Sequence, residues 1–430
     1  MRGPRPSAFL LLVFLLLCLP GRGLAQFGPP EPTFRGYLKT LALAYRAPRT
    51  ALASFITRGG RLYYSRARIE GRMPLSGDLY LQAAAELEDL SGEGGGTLLL
   101  RSGGRGGPAW RPEWVLRDEQ DLAEGQGPGR TRLFLDRCYL EAYSGPWTVT
   151  VGKQRVAWGS GQFWNPTDLF DPFGPLSLDA EDRPGSDALR VDRQLGPVSV
   201  LTGVFSVGSR SGWHEDLWDR SVQVLRLRTH LGDWDIVLLG AQDRGDSVAG
   251  LDLSGYVGDA GVYMESAVVR HPERLRLYGT GGEIIWQTLG SDTWIEAVAG
   301  GSYGFESGWT VRGELFFNGG GTASTETYPG GAPRGRYLEA WTDYSRGDLL
   351  ALSRMYAAGF VRWQLTPLVS SELGTLVNLS DGGSALLPGL DWSVLSDLRV
   401  HAGAQVFLAS SPAEFSYYPL SGYVLLKYSF

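Results

Sequence analysis

The side chains that titrate near neutrality unaided set the first limit on this chain's chemistry. Four histidines, His214, His230, His271 and His401, are scattered through 430 residues. They form no metal-ligand spacing, so neither a metal nor a cofactor is expected. A serine nucleophile needs a base within hydrogen-bond reach, which here would be a histidine on a neighbouring strand. His401 falls on a face expected to point inward, His230 lies near a turn, and neither sits in a recognisable catalytic motif. Hydrolysis is therefore the weaker rival reading, and no catalytic residue is assigned. Cys18 lies in the first 25 residues, which leaves Cys138 alone and excludes a disulfide framework.

Charge is placed more systematically. Arg66, Arg68, Glu70 and Arg72 recur every second residue, as do Glu86 and Glu88, Arg190 and Asp192, Arg312 and Glu314, and Arg399 and His401; Lys427 stands alone near the end. Spacing by two puts each set on one face of an extended strand. If the intervening apolar residues face lipid, these groups line the interior of a closed sheet. Charges of both signs on opposing walls would then set ion preference, as charged rings do in pores. The alternative is that they pair with one another across a narrow or plugged interior.

The stretch from Gln154 to Pro184 is the most distinctive. It interleaves Trp158, Phe163, Trp164, Phe170 and Phe173 with Asn165, Asp168, Asp171, Asp179, Glu181 and Asp182, and it holds Pro166, Pro172, Pro175 and Pro184. That is too apolar for a segment bathed in water. Four readings stand: a constriction with its aromatics on the wall and its carboxylates toward a pore, a carbohydrate-stacking surface, a calcium site, or a stiff loop that braces the mouth.

Elements that position these groups read as strands. In Leu79–Glu88, Trp309–Phe317 and Leu398–Leu408 apolar and polar residues alternate with period two. About 18 such segments begin near Tyr37, Leu62, Leu79, Arg132, Trp147, Asp187, Val198, Ser221, Trp234, Ser247, Gly261, Thr293, Trp309, Arg354, Leu368, Ser384, Leu398 and Leu420. The count falls to 16 if the Tyr37 segment or a loop strand is misread. Many approach the roughly 9–11 residues that a tilted strand needs to cross a bilayer. Every second connection is a tight turn, and most of the others are long, including Ser91–Gly129, Ala157–Ser186, His271–Asp292 and Gly319–Ser353. An all-β transmembrane antiparallel barrel has this plan: short periplasmic turns, longer external loops and an even strand count. Closure also pairs every backbone amide within lipid. Tryptophans and tyrosines near strand ends, among them Trp147, Trp234, Trp294, Trp309, Tyr417 and Tyr418, fit interfacial girdles, although some could be lumenal.

The start of the chain agrees. Arg2 and Arg5 precede an apolar run from Ala8 to Leu19 and the small residues Gly23 and Ala25, the pattern of a cleaved signal peptide over residues 1–25. The run is shorter than the roughly 20 residues of a spanning helix. Residues 26–430 then form a single domain, with 157–186 as its mouth loop. Loss of the leader removes three arginines and no acids, so the remainder is more acidic than the whole chain at −6. No basic patch marks a nucleic-acid binder.

The last strand, Gly422 to Phe430, carries Val424, Leu426, Tyr428 and terminal Phe430 on one face, and it resembles the C-terminal signature of bacterial outer-membrane β-barrels. The resemblance implies that Tyr428 and Phe430 are read by a barrel-assembly machinery. Gly36–Lys39, Gly152–Gly159 and the segment from Trp158 to Pro172, with Trp158, Gly159, Gly161, Trp164, Asn165, Pro166, Asp168 and Phe170, are similar to porin-like barrels. That similarity implies a porin-like channel in the bacterial outer membrane, surrounded by lipid and passing small polar or ionic solutes. A scaffold or secretion partner without an open pore is the main alternative. The solute, the oligomeric state and the ion selectivity stay open.

Overall fold

Period-two alternation requires partners for every strand edge, and the chain supplies them by closing on itself. The computed structural model describes residues 32–46, 59–92, 120–124, 130–170, 174–178, 183–207, 221–271, 274–280, 283–289, 291–322, 350–410 and 413–430. The leader, His214, Asp171, Phe173, Asp179, Glu181, Asp182 and most of Ser91–Gly129 and Gly319–Gly335 lie outside them.

The first half of the chain gives β1 (Thr33–Arg46), β2 (Gly60–Ser76), β3 (Leu79–Gly92), β4 (Gln120–Glu124), β5 (Arg130–Ser144), β6 (Trp147–Gln154), β7 (Ser186–Gln194), β8 (Val200–Val207), β9 (Ser221–Leu231) and β10 (Trp234–Asp243). The second half gives β11 (Asp246–Val257), β12 (Ala260–His271), β13 (Arg274–Thr280), β14 (Glu283–Leu289), β15 (Asp292–Gly304), β16 (Trp309–Asn318), β17 (Met355–Thr366), β18 (Val369–Asn378), β19 (Ser384–Ser393), β20 (Leu398–Leu408) and β21 (Leu420–Ser429). Each barrel strand pairs antiparallel with its neighbours, and β21 returns to β1 to close the ring. The short β4 adds only to β5, and β13 and β14 form a separate hairpin. The remaining eighteen strands are the barrel, so the count is eighteen and not sixteen.

Glycine makes the tight end. Gly145, Gly232 and Gly258 sit at two-residue hairpins with φ of 56°, 62° and 61°, the left-handed backbone such turns require. At the opposite end, the loop end, two connections are also short, at Arg244–Gly245 and Leu379–Gly383. The seam is finished by reciprocal backbone bonds, Gly36 N–H to Phe430 O at 2.8 Å and Phe430 N–H to Gly36 O at 2.9 Å.

The two faces differ as alternation demands. Leu38, Ile69, Leu87, Leu140, Val151, Leu189, Leu238, Leu315 and Leu373 are exposed on the outer surface. In water a continuous apolar belt of this size would drive association, whereas a lipid hydrocarbon covers it at no such cost. At the turn end the belt is edged by Trp234, Tyr256, Tyr303, Trp309, Trp363 and Trp392, with Trp309 and Trp363 stacked at 4.9 Å. This is the expected aromatic girdle. Trp294, Tyr417 and Tyr418 are not part of it: Trp294 is inside, in the cluster that holds Phe170, and the two tyrosines pack at the mouth.

The core lies inside the ring. One apolar cluster joins Val156, Leu169 and Phe170 to strands from β7 to β15, among them Val224, Leu239, Val269 and Trp294. A second joins Trp164 and Leu176 to Phe316, Tyr356, Leu376 and Phe415. A third is built of Leu43, Tyr45 and Leu62, with Leu90, Leu178 and Tyr423 packed against it.

Candidate functional site: the loop folded into the lumen

All three clusters receive residues of the β6–β7 connection, which therefore folds inward and follows the inner wall. Its course is written in its turn residues. Asn165-Pro166-Thr167-Asp168 closes a β-turn, with Asp168 N–H donating to Asn165 O at 3.1 Å and proline at the second position, where its φ is already correct. The Asn165 side-chain amide donates to Gly161 O at 2.7 Å. Gly159 has φ of 94°, and a Cβ on Gly161 would stand 1.8 Å from Trp164 O. Both positions admit glycine alone without distortion.

Two wall carboxylates hold this folded segment. Glu265 on β12 accepts the amides of Ser160 (3.1 Å), Gly161 (3.2 Å) and Thr167 (2.6 Å) and the Thr167 hydroxyl (2.7 Å). Glu314 on β16 accepts the amides of Gln162, Phe163 (3.0 Å) and Trp164 (3.4 Å) and the Tyr263 hydroxyl (2.6 Å). Asp252 on β11 takes the Ser160 hydroxyl. An irregular segment inside a barrel must satisfy its own amides, and charged acceptors do so with bonds roughly twice as strong as neutral ones. Trp164 then stacks on Phe316 at 5.0 Å, and Trp158 meets Phe170 edge-on at 5.6 Å.

The returning limb crosses to the other wall. Gln405 on β20 donates to Leu176 O at 2.8 Å, and Gly185 N–H reaches Asp136 at 3.2 Å. Asp136 is the extra residue of a bulge in β5 opposite Ala84 and Ala85, and the bulge aims its carboxylate inward. Asp168 is buried; it accepts Phe170 N–H at 3.2 Å and pairs with Arg183, so the two limbs are tied together. Its carboxylate does not line an aqueous path.

The thirteen strand candidates also have definite places. Arg66, Arg68, Glu70, Glu86 and Glu88 form one network on the inner wall. Arg68 bonds Asp136 at 2.5 Å, Glu70 at 3.0 Å and also Glu86; Arg66 bonds Glu86 at 2.5 Å; Arg132 bonds Glu88 at 2.6 Å. Arg68, Glu86 and Glu88 are buried within it. Arg72 pairs with Glu141 at 2.9 Å, Arg190 with Asp192 at 2.7 Å, and Arg399 lies 3.8 Å from Asp391. His401 meets the Tyr423 hydroxyl at 3.0 Å beside Glu372 and Asp391. Lys427 and Lys39 lie over the Tyr37 ring from 4.9 and 5.1 Å. Arg312 reaches the side chain of Gln162 at 3.4 Å. These groups face the interior in separate patches, and only Arg312 and Glu314 meet the loop near its tip.

Three arginines lie around the loop, in company with Asp235 and Asp252. Arg155 is exposed, Arg228 is exposed beside Asp235, and Arg226 lies over Trp158 at 5.5 Å with its Nε buried and unbonded. No cluster of three or more histidine, cysteine or carboxylate residues is arranged to hold a metal among the described residues. Glu265, Asp252 and Arg226 were not singled out from the sequence. The available signal was a lone acid on the inward side of each strand, Glu265 between Tyr263 and Ala267 and Asp252 between Gly250 and Ser254.

No family model matches the sequence, and no curated protein matches it. Solved structures do. Acinetobacter baumannii OccAB1 superposes with a TM-score of 0.55 over 94% of this chain and 97% of its own, at 8% identity. OccK8 (OprE) of Pseudomonas aeruginosa gives 0.54 over 93% and 98%, at 8% identity. A BenF-like porin from Pseudomonas fluorescens Pf-5 gives 0.53 over 94% and 100%, at 10% identity. With eighteen strands, an apolar belt and a loop tethered inside the ring, the chain has the fold of the bacterial outer-membrane porins.

Proposed function

We propose that the chain is a passive channel through which small polar and ionic solutes, anions above all, cross the bacterial outer membrane. The single observation that carries the reading is the tether: Glu265 and Glu314 spend their carboxylates on loop amides, while Arg155 is exposed, Arg228 is exposed beside Asp235 and Arg226 is half-buried over Trp158. A loop held this way is a rigid constriction, and the exposed Arg155 at its base raises the local concentration of anions. The reading assigns no catalysis. His230, His271 and His401 lie beside Asp235, Asp246 and Tyr423 and supply no base to a serine among these contacts. A cleaved leader over residues 1–25 and recognition of Tyr428 and Phe430 by an assembly machinery belong to the same proposal. Both aromatic rings are exposed on the outer face, 6.3 Å apart.

Single-channel recording of the purified protein in planar bilayers under a salt gradient tests this. Stable steps with a reversal potential on the anion side are expected. The rival scaffold reading is favoured by the three apolar clusters inside the ring, which fill part of the lumen. A folded barrel that passes no current would establish it and overturn the channel.

A further inference from the structure

The connection between β20 and β21 does not stand clear of the barrel. Its 3-10 turn, Glu414–Tyr417, is folded down so that Glu414, Phe415 and Tyr417 are buried. The Phe415 ring joins the cluster that holds Trp164 and Leu176 of the lumenal loop together with Leu350, Ala351 and Tyr356. Beside it Glu414 enters carboxylate first. One oxygen accepts the Tyr356 hydroxyl at 2.5 Å and the Asn378 amide at 2.8 Å. The same Asn378 amide reaches Asp381 at 2.9 Å, and Asp381 accepts the Glu414 backbone N–H at 2.8 Å.

The surroundings of the carboxylate decide its behaviour. From β17 it faces Tyr356, from β18 the neutral Asn378, and from the β18–β19 turn a second acid, Asp381. The lumenal loop presents Trp164, Pro175 and Leu176, the segment before β17 presents Leu350 and Ala351, and its own turn adds Phe415 and Tyr418. No described cation bonds it. A carboxylate buried among apolar groups next to another carboxylate is costly when ionised and tolerable when protonated.

We propose that Glu414 is a proton-dependent latch: protonated, it docks the β20–β21 connection onto the mouth and against the lumenal loop, and ionised, it releases that connection and loosens the constriction behind it. Burial, reinforced by Asp381, pushes the Glu414 pKa from an ordinary 4.5 up to about 7. Docking therefore takes up a proton between those values. The docked-to-released ratio is highest below pH 4.5, falls by at most about tenfold per pH unit as pH rises toward 7, and is level above it.

Hydrogen exchange of residues 413–419 in the full-length protein, corrected for intrinsic rates, reads the latch between pH 5 and 8. Protection that falls with rising pH in the wild type and stays high and flat in Glu414→Gln is expected. A flat wild-type profile, or a Glu414→Gln profile with the wild-type slope, overturns the proposal. If Glu414→Gln does not fold, Asp381→Asn decides: loss of the neighbouring acid shifts the midpoint to lower pH, and an unmoved midpoint overturns the latch. The consequence for the constriction rests on the channel reading and is checked apart from it, by current fluctuations at pH 8 and pH 5.5. Exchange that responds to pH in a barrel without current sinks the channel and leaves the latch.

Discussion

Replacing Glu314 with glutamine should detach the lumenal loop while leaving the barrel intact. The change keeps the volume of the side chain but turns one oxygen into a donor that faces amides already pointing at it. Bonds to a charged acceptor contribute about 1.5–3 kcal/mol each, and a buried donor left without a partner costs about 1–3 kcal/mol. Three loop amides depend on Glu314, and that of Trp164 is the longest at 3.4 Å. Counting two of them, and allowing the freed segment to find water, the docked segment loses about 3 kcal/mol, roughly a hundredfold in its docked-to-free ratio. Every strand–strand bond survives, so the heat-modifiable gel shift of a folded barrel should be unchanged. Single-channel traces should show a larger mean step with stronger open-state noise, because a segment that was held now samples the lumen. A folded Glu314→Gln barrel with wild-type conductance and noise would refute the claim that this carboxylate holds the constriction.

Three other outcomes are expected. Gly161→Ala should reproduce the noisy phenotype without any change of charge, since its Cβ would collide with Trp164 O, and noise analysis against wild type reads it. Arg68→Met should lower stability by about 3–5 kcal/mol, because Glu70, Glu86 and Asp136 lose a shared buried cation; denaturant unfolding in detergent measures this. Phe430→Ala should refold in detergent with near wild-type yield yet accumulate poorly in the membranes of cells, as judged by fractionation, if the exposed ring is what the proposed assembly machinery reads.

Much of the barrel could be read from alternation. Each of the eighteen expected starts corresponds to a strand, and the inward direction of Arg66, Arg190, Arg312 and His401 follows from period two alone. The rule that apolar residues face lipid fails where the loop leans on the wall. Leu43 of β1, Leu239 of β10 and Phe316 of β16 point inward, and in each strand the alternation cannot tell a lipid neighbour from a protein one. Trp294 defeats the girdle expectation for the same reason. Asp168 reads as a pore carboxylate in the sequence because its partner, Arg183, lies fifteen residues on along the same connection, where spacing gives no sign of the pairing. The β13–β14 hairpin is hidden inside His271–Asp292, where seven-residue strands leave too short a pattern.

The seat of Leu178 has a bearing on how the molecule is born. Leu178 packs against the cluster of Leu43, Tyr45 and Leu62 from the first two strands, and Leu176, two residues before it, accepts from Gln405 near the end of the chain. Those two anchors, one on β1 and β2 and the other on β20, are brought together when the first and last strands meet. The returning limb can reach its final position only after the ring is complete, whereas Glu265 and Glu314, on strands far from the seam, can hold the first limb before that. Settling of Leu178 is thus a chemical report that the ring has shut.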